Sequence, residues 1–159
     1  MSSVIKEYEN LPRFPDGRID YTNSPSAPIV ACVIQYGDKV LIVKRSEKVS
    51  HWNDKWDVVT GYIDNPNVSA IEHTVIELEE EIGITADIIA EIKIKDSYTY
   101  LDKQSNKTLK VFPVKINLRS MPEIKLNEEN TDFKWIIPQE VKDYDGVPEL
   151  ESTIKNALI

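Results

Sequence analysis

Apolar residues form short runs along most of the chain, and their spacing predicts strands with a few helices between them. Two of these runs, residues 29–36 and 40–44, flank the turn GDK at residues 37–39 and predict a β-hairpin. Farther along, the segment WDVVTGYID predicts a short strand that ends at Gly61. This part of the chain is therefore expected to form the start of a sheet.

One segment, NPNVSAIEHTVIELEEEIGI, has the periodicity of an amphipathic helix. Ser69 and Glu72 match the S-x-x-E capping box, and Gly83 is typical of a helix end. The pattern therefore predicts a helix over about residues 70–82. Four apolar residues form the stripe expected to be buried: Ile71, Val75, Leu78 and Ile82.

Strand patterns return in the second half of the chain. The segments ADIIAEIKIKDSYTYL and TLKVFPVKINL flank the polar turn DKQSNK and predict a second long hairpin, and FKWIIP predicts a further short strand. PQEVKDY and PELESTIKNALI predict a short helix and a C-terminal helix. Together these elements predict a mixed α/β fold of the α+β type.

Length and composition set the domain organisation. At 159 residues the chain is long enough for one hydrophobic core and too short for two ordinary domains. Residues 1–28 are polar and rich in proline, which excludes a long helix, so we interpret them as an extension lying on a domain of residues 29–159.

The cellular setting follows from what the sequence lacks. No apolar run approaches the roughly 20 residues that a membrane span needs, and the first residues contain no apolar region typical of a signal peptide. The single cysteine, Cys32, excludes an intramolecular disulfide and favours a cytoplasmic setting.

The formal net charge of −8 makes a stable nucleic-acid complex through a broad basic surface unexpected. It does not exclude a polyanionic substrate, because a divalent cation can carry positive charge into an acidic pocket.

Carboxylates crowd the end of the predicted helix. Glu77, Glu80 and Glu81 converge on one side, and His73 lies one turn earlier. Each acid is disfavoured there by about 0.3 to 1 kcal/mol, because the helix C-terminus is the negative end of the macrodipole. The patch is either a solvated acidic face or the site of a hard divalent cation such as Mg²⁺ or Mn²⁺. The spacing alone leaves both interpretations open.

The wider context resembles the box of the Nudix hydrolase family, G-x5-E-x7-R-E-U-x-E-E-x-G-U, in which U is a bulky aliphatic residue. The positions that match this pattern are Gly61, Glu77, Leu78, Glu80, Glu81, Gly83 and Ile84. The segments VACVIQYGDKVLIVKRS and NEENTDFKWIIPQEV also resemble family segments on either side of the box, so the resemblance covers about residues 29–145. It implies the Nudix fold, a mixed β-sheet sandwiched between helices.

The resemblance also implies an activity. Nudix hydrolases use Mg²⁺ or Mn²⁺ to cleave a pyrophosphate bond in a nucleoside diphosphate linked to another moiety, so a small-molecule nucleotide or nucleotide sugar is the expected substrate. The implied metal ligands are Glu77, Glu80, Glu81 and the backbone carbonyl of Gly61. Glu80 and Glu81 are thereby also candidate catalytic residues.

Other residues are candidates for the remaining roles. The general base is expected in the segment NEEN, where Glu129 is our candidate and Glu128 the alternative. For substrate binding the candidates are Arg45, whose fork suits phosphate, and the aromatic residues Trp52 and Tyr62, which offer rings for stacking.

The box departs from the family pattern in three places. The Gly61–Glu77 spacing is one residue longer, the first glutamate of the box would fall at Asn67 or Val68, and Ile76 occupies the arginine position. Asp64 or Glu72 is a candidate replacement for the missing carboxylate.

These departures motivate an alternative function, a Nudix-fold nucleotide-binding module with little or no turnover. A third interpretation, an enzyme similar to isopentenyl-diphosphate isomerase, needs a catalytic cysteine in a polar site, and Cys32 lies in an apolar strand segment. Homodimers are common for the fold, and residues 1–28 are a candidate contact for one.

Overall fold

A mixed sheet of eight strands forms the centre of the fold in the computed structural model, which describes residues 3–159. The main path of the sheet is β3-β2-β1-β7-β5, while β4 pairs with β1, β6 with β7 and β8 with β2. Among the strand pairs of residues 3–159, β1 and β7 are parallel and the others are antiparallel. The strands are β1 (Ser26–Tyr36), β2 (Lys39–Arg45), β3 (Trp56–Asp57), β4 (Val59–Tyr62), β5 (Ile89–Ile94), β6 (Tyr98–Asp102), β7 (Lys107–Leu118) and β8 (Asn130–Ile136).

Both predicted hairpins are present. In the first, β1 and β2 are joined by a tight turn in which Gly37 has a φ of 61°, a conformation that glycine adopts at little cost. In the second, the predicted first strand is divided into β5 and β6, which both pair with β7. The interruption lies opposite Pro113, whose ring nitrogen has no hydrogen to donate to the ladder, although its carbonyl accepts from the Lys95 amide.

Two α-helices pack on the sheet, α1 (Ala70–Ile82) and α2 (Leu150–Leu158). The start of α1 is as predicted, because the Ser69 hydroxyl accepts a hydrogen bond from the Glu72 amide at 3.1 Å. Its end is also as predicted, with Gly83 left-handed at a φ of 75°. The segment PQEVKDY is a 3₁₀ turn, and WDVVTGYID is two short strands, of which the second ends at Tyr62 rather than at Gly61.

The buried face of α1 differs from the prediction. Ile71 is exposed and Val75 is only partly buried. One buried row consists of Ala70, Thr74, Leu78 and Ile82, and a second, inward-facing row consists of His73, Glu77 and Glu81. The predicted stripe is therefore confirmed at Leu78 and Ile82 and wrong at Ile71 and Val75, because a hydrophobic pattern does not show that this helix turns two carboxylates inward.

The segment before β1 packs against the domain, and its Ile5, Ile19 and Tyr21 belong to the core. The Tyr21 hydroxyl donates to the carbonyl of Ile63 at 2.6 Å, which ties this segment to the loop after β4. No helix within residues 3–159 is long and apolar enough to cross a membrane.

Candidate active site

A cavity of about 490 Å³ opens between the sheet, the C-terminal half of α1 and the first turn of α2. Its floor is one face of four neighbouring strands, because alternate strand residues point to the same side of a sheet. The register places Ile29 beside both Tyr62 and Val111, and Val111 beside Tyr98. Aromatic rings therefore lie at both ends of an apolar floor.

The inward row of α1 supplies the acidic wall. Glu77 and Glu81 are four residues apart, so they lie one turn from each other on the same side of the helix, and both line the cavity. Glu80 is exposed and does not line the cavity as its side chain stands. Only two of the three box acids therefore already face inward, and Glu80 lies at the rim.

Gly61 provides the space that Glu77 occupies. A Cβ atom at Gly61 would lie 2.7 Å from Cδ of Glu77 and 2.9 Å and 3.0 Å from its two carboxylate oxygens. Any side chain at this position would displace the carboxylate. The first glycine of the box is thus explained by the close approach of a glutamate that follows it by 16 residues.

Glu81 lies deepest in the acidic wall and is 6% exposed. Burial, a hydrogen bond with Glu129 and the charges of neighbouring acids raise the pKa of Glu81 to about 11. Burial and the charges of Glu80 and Glu129 raise the pKa of Glu77 to about 8. The structure thus brings Glu129 to the acidic wall, although Glu129 is itself largely exposed.

The loop that carries Glu129 is held in place by Ser46 at the end of β2. The Ser46 amide donates to the Glu129 carbonyl at 2.8 Å, and its hydroxyl donates to the Glu128 carbonyl at 2.6 Å. Both glutamates line the cavity. Of the two, Glu129 is the one whose carboxyl group bonds to Glu81, which favours it over Glu128.

His73 completes the inward row and is buried rather than exposed. Its Nε2 lies 3.3 Å from a carboxylate oxygen of Glu77, yet it has no hydrogen-bond partner of suitable geometry within residues 3–159. Burial lowers the pKa of His73 despite the opposing charge of Asp64, so the ring is neutral at pH 7. The i,i+4 spacing of His73 and Glu77 was the sequence signal for this contact.

The three predicted substrate-binding residues all line the cavity. The guanidinium of Arg45 is already used within the protein, since its Nε and Nη2 donate to the His51 carbonyl at 3.1 and 3.0 Å. The Trp52 indole donates to the carboxylate of Asp102 at 2.8 Å, which fixes the ring at the rim. Tyr62 is 39% exposed, so its ring is open to the cavity.

Four charged residues in the cavity lining were not identified as site residues from the sequence: Arg18, Lys48, Asp57 and Asp102. Asp57 is buried in β3, and burial raises its pKa to about 7 despite Arg45, whose Nη1 lies 3.6 Å away. Of the two proposed replacements for the missing box glutamate, Asp64 lines the cavity, whereas Glu72 is exposed. Ile76, at the arginine position, is exposed at 39%.

The donor set suits a hard divalent cation. Carboxylates Glu77, Glu81 and Glu129 meet at one wall, and the unpartnered Nε2 of His73 lies behind them. The side chains of residues 3–159 do not, as they stand, bring three His, Cys, Asp or Glu groups together on one ion position. An ion would therefore have to draw these carboxylates together.

Comparison with known proteins identifies the family. A family model, the NUDIX domain, matches residues 25–157. The chain therefore belongs to the Nudix family, and its class is that of the Nudix-type pyrophosphohydrolases. No curated protein sequence matches the chain significantly.

Solved structures agree on the fold. MutT from Methanosarcina mazei Go1 has a TM-score of 0.64 at 20% identity, over 84% of this chain and 93% of that one. The NUDIX domain of Shewanella oneidensis NrtR, complexed with ADP ribose, has a TM-score of 0.69 at 17% identity, over 84% of this chain and 86% of that one. A bifunctional NMN adenylyltransferase/ADP ribose pyrophosphatase from Francisella tularensis, complexed with AMP and a Mn ion, has a TM-score of 0.67 at 21% identity. The match covers 84% of this chain and 41% of that one. These similarities confirm the predicted Nudix fold.

The raised pKa values of the buried acids predict how the stability of the metal-free protein depends on pH. Asp57, Glu77 and Glu81 keep protons in the folded protein that the unfolded chain has released above pH 6. The folded state therefore binds more protons, and its free energy of unfolding should fall by about 1 kcal/mol or more between pH 6.5 and 8.5. His73 opposes this trend only near pH 6.5, where the unfolded chain still binds part of a proton on this ring and the folded protein binds less, because burial lowers the pKa of His73.

Urea denaturation in EDTA across this pH range measures the effect. Glu81→Gln should reduce the slope, whereas Glu79→Gln, on the exposed side of α1, should not. A stability that rises or stays constant with pH in the wild type would contradict this electrostatic description.

Proposed function

We propose that this protein hydrolyses the pyrophosphate bond of a nucleoside diphosphate linked to another moiety, with Mg²⁺ or Mn²⁺ as the cofactor. The observation that carries the proposal is the inward row of α1, where Glu77 and Glu81 face a cavity and Glu77 fits against Gly61. Burying two carboxylates side by side is costly unless a cation compensates them. The inward position of Glu77 and Glu81 therefore supports a metal site at the Nudix box.

The proposed ligands are Glu77, Glu81 and the carbonyl of Gly61, with Glu80 turning in from the rim. When bound, the cation would neutralise charge on the phosphate oxygens and lower the pKa of an attacking water. The protein supplies the rest. Gly61 leaves room for the Glu77 carboxylate, and Ser69 and Gly83 fix the two ends of the helix that aims Glu77 and Glu81.

Glu129 is the proposed general base. Its carboxyl group bonds to Glu81, so it lies at the acidic wall, and its side chain remains exposed to solvent. A largely exposed carboxyl can accept a proton from a water within hydrogen-bond distance and release it to solvent.

The nucleoside is proposed to lie on the aromatic part of the cavity. Tyr62, Tyr98 and Tyr100 present rings on one face of the sheet, and Trp52 also lines the cavity. A base can stack on such rings without sequence-specific contacts. The similar structures that contain ADP ribose or AMP support a substrate of the nucleotide class.

The experiment is a panel assay of nucleoside triphosphates, nucleotide sugars, ADP-ribose and dinucleoside polyphosphates with Mg²⁺ or Mn²⁺. We expect metal-dependent turnover of at least one compound by the wild type, a large loss in Glu80→Gln, and no loss in Glu72→Gln. Glu72 is a suitable control because it is exposed on the same helix and does not line the cavity. Binding of Mn²⁺ and nucleotide without turnover of any compound would instead favour the nucleotide-binding module.

A further inference from the structure

We propose that Arg18, which lies in the segment before β1, contacts a phosphate group of the substrate inside the cavity. This inference rests on the proposed function and assigns a substrate-binding residue that lies outside the Nudix box. Arg18 is one of three lysines and arginines that line the cavity within residues 3–159, together with Arg45 and Lys48. Glutamates and aspartates outnumber them in the same lining, so each cation matters for an anionic substrate.

Arg18 has a free donor and is the more exposed of the two cavity arginines. The side chain of Arg45 is 21% exposed, its Nε and Nη2 donate to the His51 carbonyl, and its Nη1 faces Asp57 at 3.6 Å. In Arg18, by contrast, Nε donates to Asp16 at 2.8 Å and Nη1 to Asp64 at 3.3 Å, while Nη2 has no partner among residues 3–159. Its side chain is 51% exposed, so that Nη2 can meet a ligand.

The guanidinium is also held in a fixed orientation. It lies over the ring of Phe14, with 5.1 Å between Cζ and the ring centroid, and Asp16 additionally accepts from the Arg18 amide at 3.0 Å. An arginine that is already oriented loses less conformational entropy when it binds phosphate. This makes Arg18 better suited to the role than Lys48, which is exposed and makes no ion pair within the described residues.

The backbone around Arg18 is anchored next to the acidic wall. The Ile19 amide donates to the Asp64 carbonyl at 2.8 Å, and Ile19 and Tyr21 are buried. The Lys107 ammonium donates to the Tyr21 carbonyl at 2.6 Å, which fastens the segment to β7. Arg18 is thus held against the loop that follows Gly61, close enough for its charge to act on Glu77.

The test is isothermal titration of α,β-methylene-ADP with Mg²⁺ into wild type, Arg18→Gln, Arg18→Lys and Arg13→Gln. Losing charge-assisted hydrogen bonds to phosphate should weaken the affinity of Arg18→Gln about 10- to 100-fold. Arg18→Lys should lie between it and the wild type, because it keeps the charge without the fork. In the active enzyme, Arg18→Gln should raise KM more than it lowers kcat.

Arg13→Gln is the matched control. It removes the same charge from the same segment, but Arg13 is exposed and does not line the cavity. Within residues 3–159 its side chain bonds only to the carbonyls of Glu9 and Gly17. We expect it to bind like the wild type, with all variants unfolding at similar temperatures. Equal affinity in wild type and Arg18→Gln, or an equal loss in Arg13→Gln, would overturn the inference and leave the proposed function standing. A wild type that binds neither α,β-methylene-ADP nor any compound of the panel would contradict both.

Discussion

Glu81→Gln is expected to lower kcat about 10³-fold or more, which is the largest effect we predict for a single residue. Glutamine has nearly the same shape but no charge, so the acidic wall loses its most buried ligand without leaving a void. The side chain lies among Glu77, Glu129 and Asp57, so the metal-free wild type has to keep Glu81 protonated at pH 8, a cost that the neutral glutamine does not have. The metal-free variant should therefore be at least as stable as the wild type at pH 8.

Steady-state kinetics on the best substrate of the panel, together with Mn²⁺ titration, would measure this effect. Glu79→Gln is the matched control, because it makes the same change two residues earlier on the solvent side of α1. We expect the control to retain wild-type kcat and Mn²⁺ affinity. A Glu81→Gln variant with ordinary turnover would show that the buried acids of α1 are structural only.

Gly61→Ala is expected to lower kcat about 10²-fold with little change in stability. The new Cβ would lie 2.7 Å from Cδ of Glu77, so the carboxylate has to move by a few tenths of an ångström or more. Displacements near 1 Å at a catalytic group cost about 10²-fold in rate. The atoms that would clash belong to the end of a flexible side chain, so the fold can relax at a cost below about 1 kcal/mol.

The two parts of this prediction are separated by measuring kcat and urea unfolding on the same preparation. Mn²⁺ affinity should fall together with kcat, because both depend on the position of the Glu77 carboxylate. A variant that unfolds easily but retains its turnover per folded molecule would mean that Gly61 serves packing, not the position of Glu77.

Features set by neighbouring residues could be predicted from the sequence. The ends of α1 follow from Ser69 and Gly83, and the first hairpin follows from two apolar runs around Gly37. The box spacing also identified Glu77 and Glu81, which the helix places in the cavity. The predicted domain boundary after residue 28, the cytoplasmic location and the homodimer stay predictions.

What could not be predicted depends on contacts between distant parts of the chain. Arg18 meets Asp64 across 46 residues, and no local pattern indicates that pair. The buried face of α1 was predicted incompletely for a related reason. Which side of the helix faces inward depends on its packing against the sheet and the cavity. Glu80 matches the box as well as Glu81 does, yet it lies at the rim.

The central claim is that this chain cleaves a pyrophosphate bond with a divalent cation. The most direct test is ³¹P NMR of the reaction in H₂¹⁸O with the best-binding compound of the panel, with Mn²⁺ or Mg²⁺ and again with EDTA. We predict two phosphate-containing products, with ¹⁸O on the phosphorus of one of them, and no reaction after chelation. Tight binding of the compound with no cleavage, or cleavage that EDTA leaves unchanged, would contradict the account.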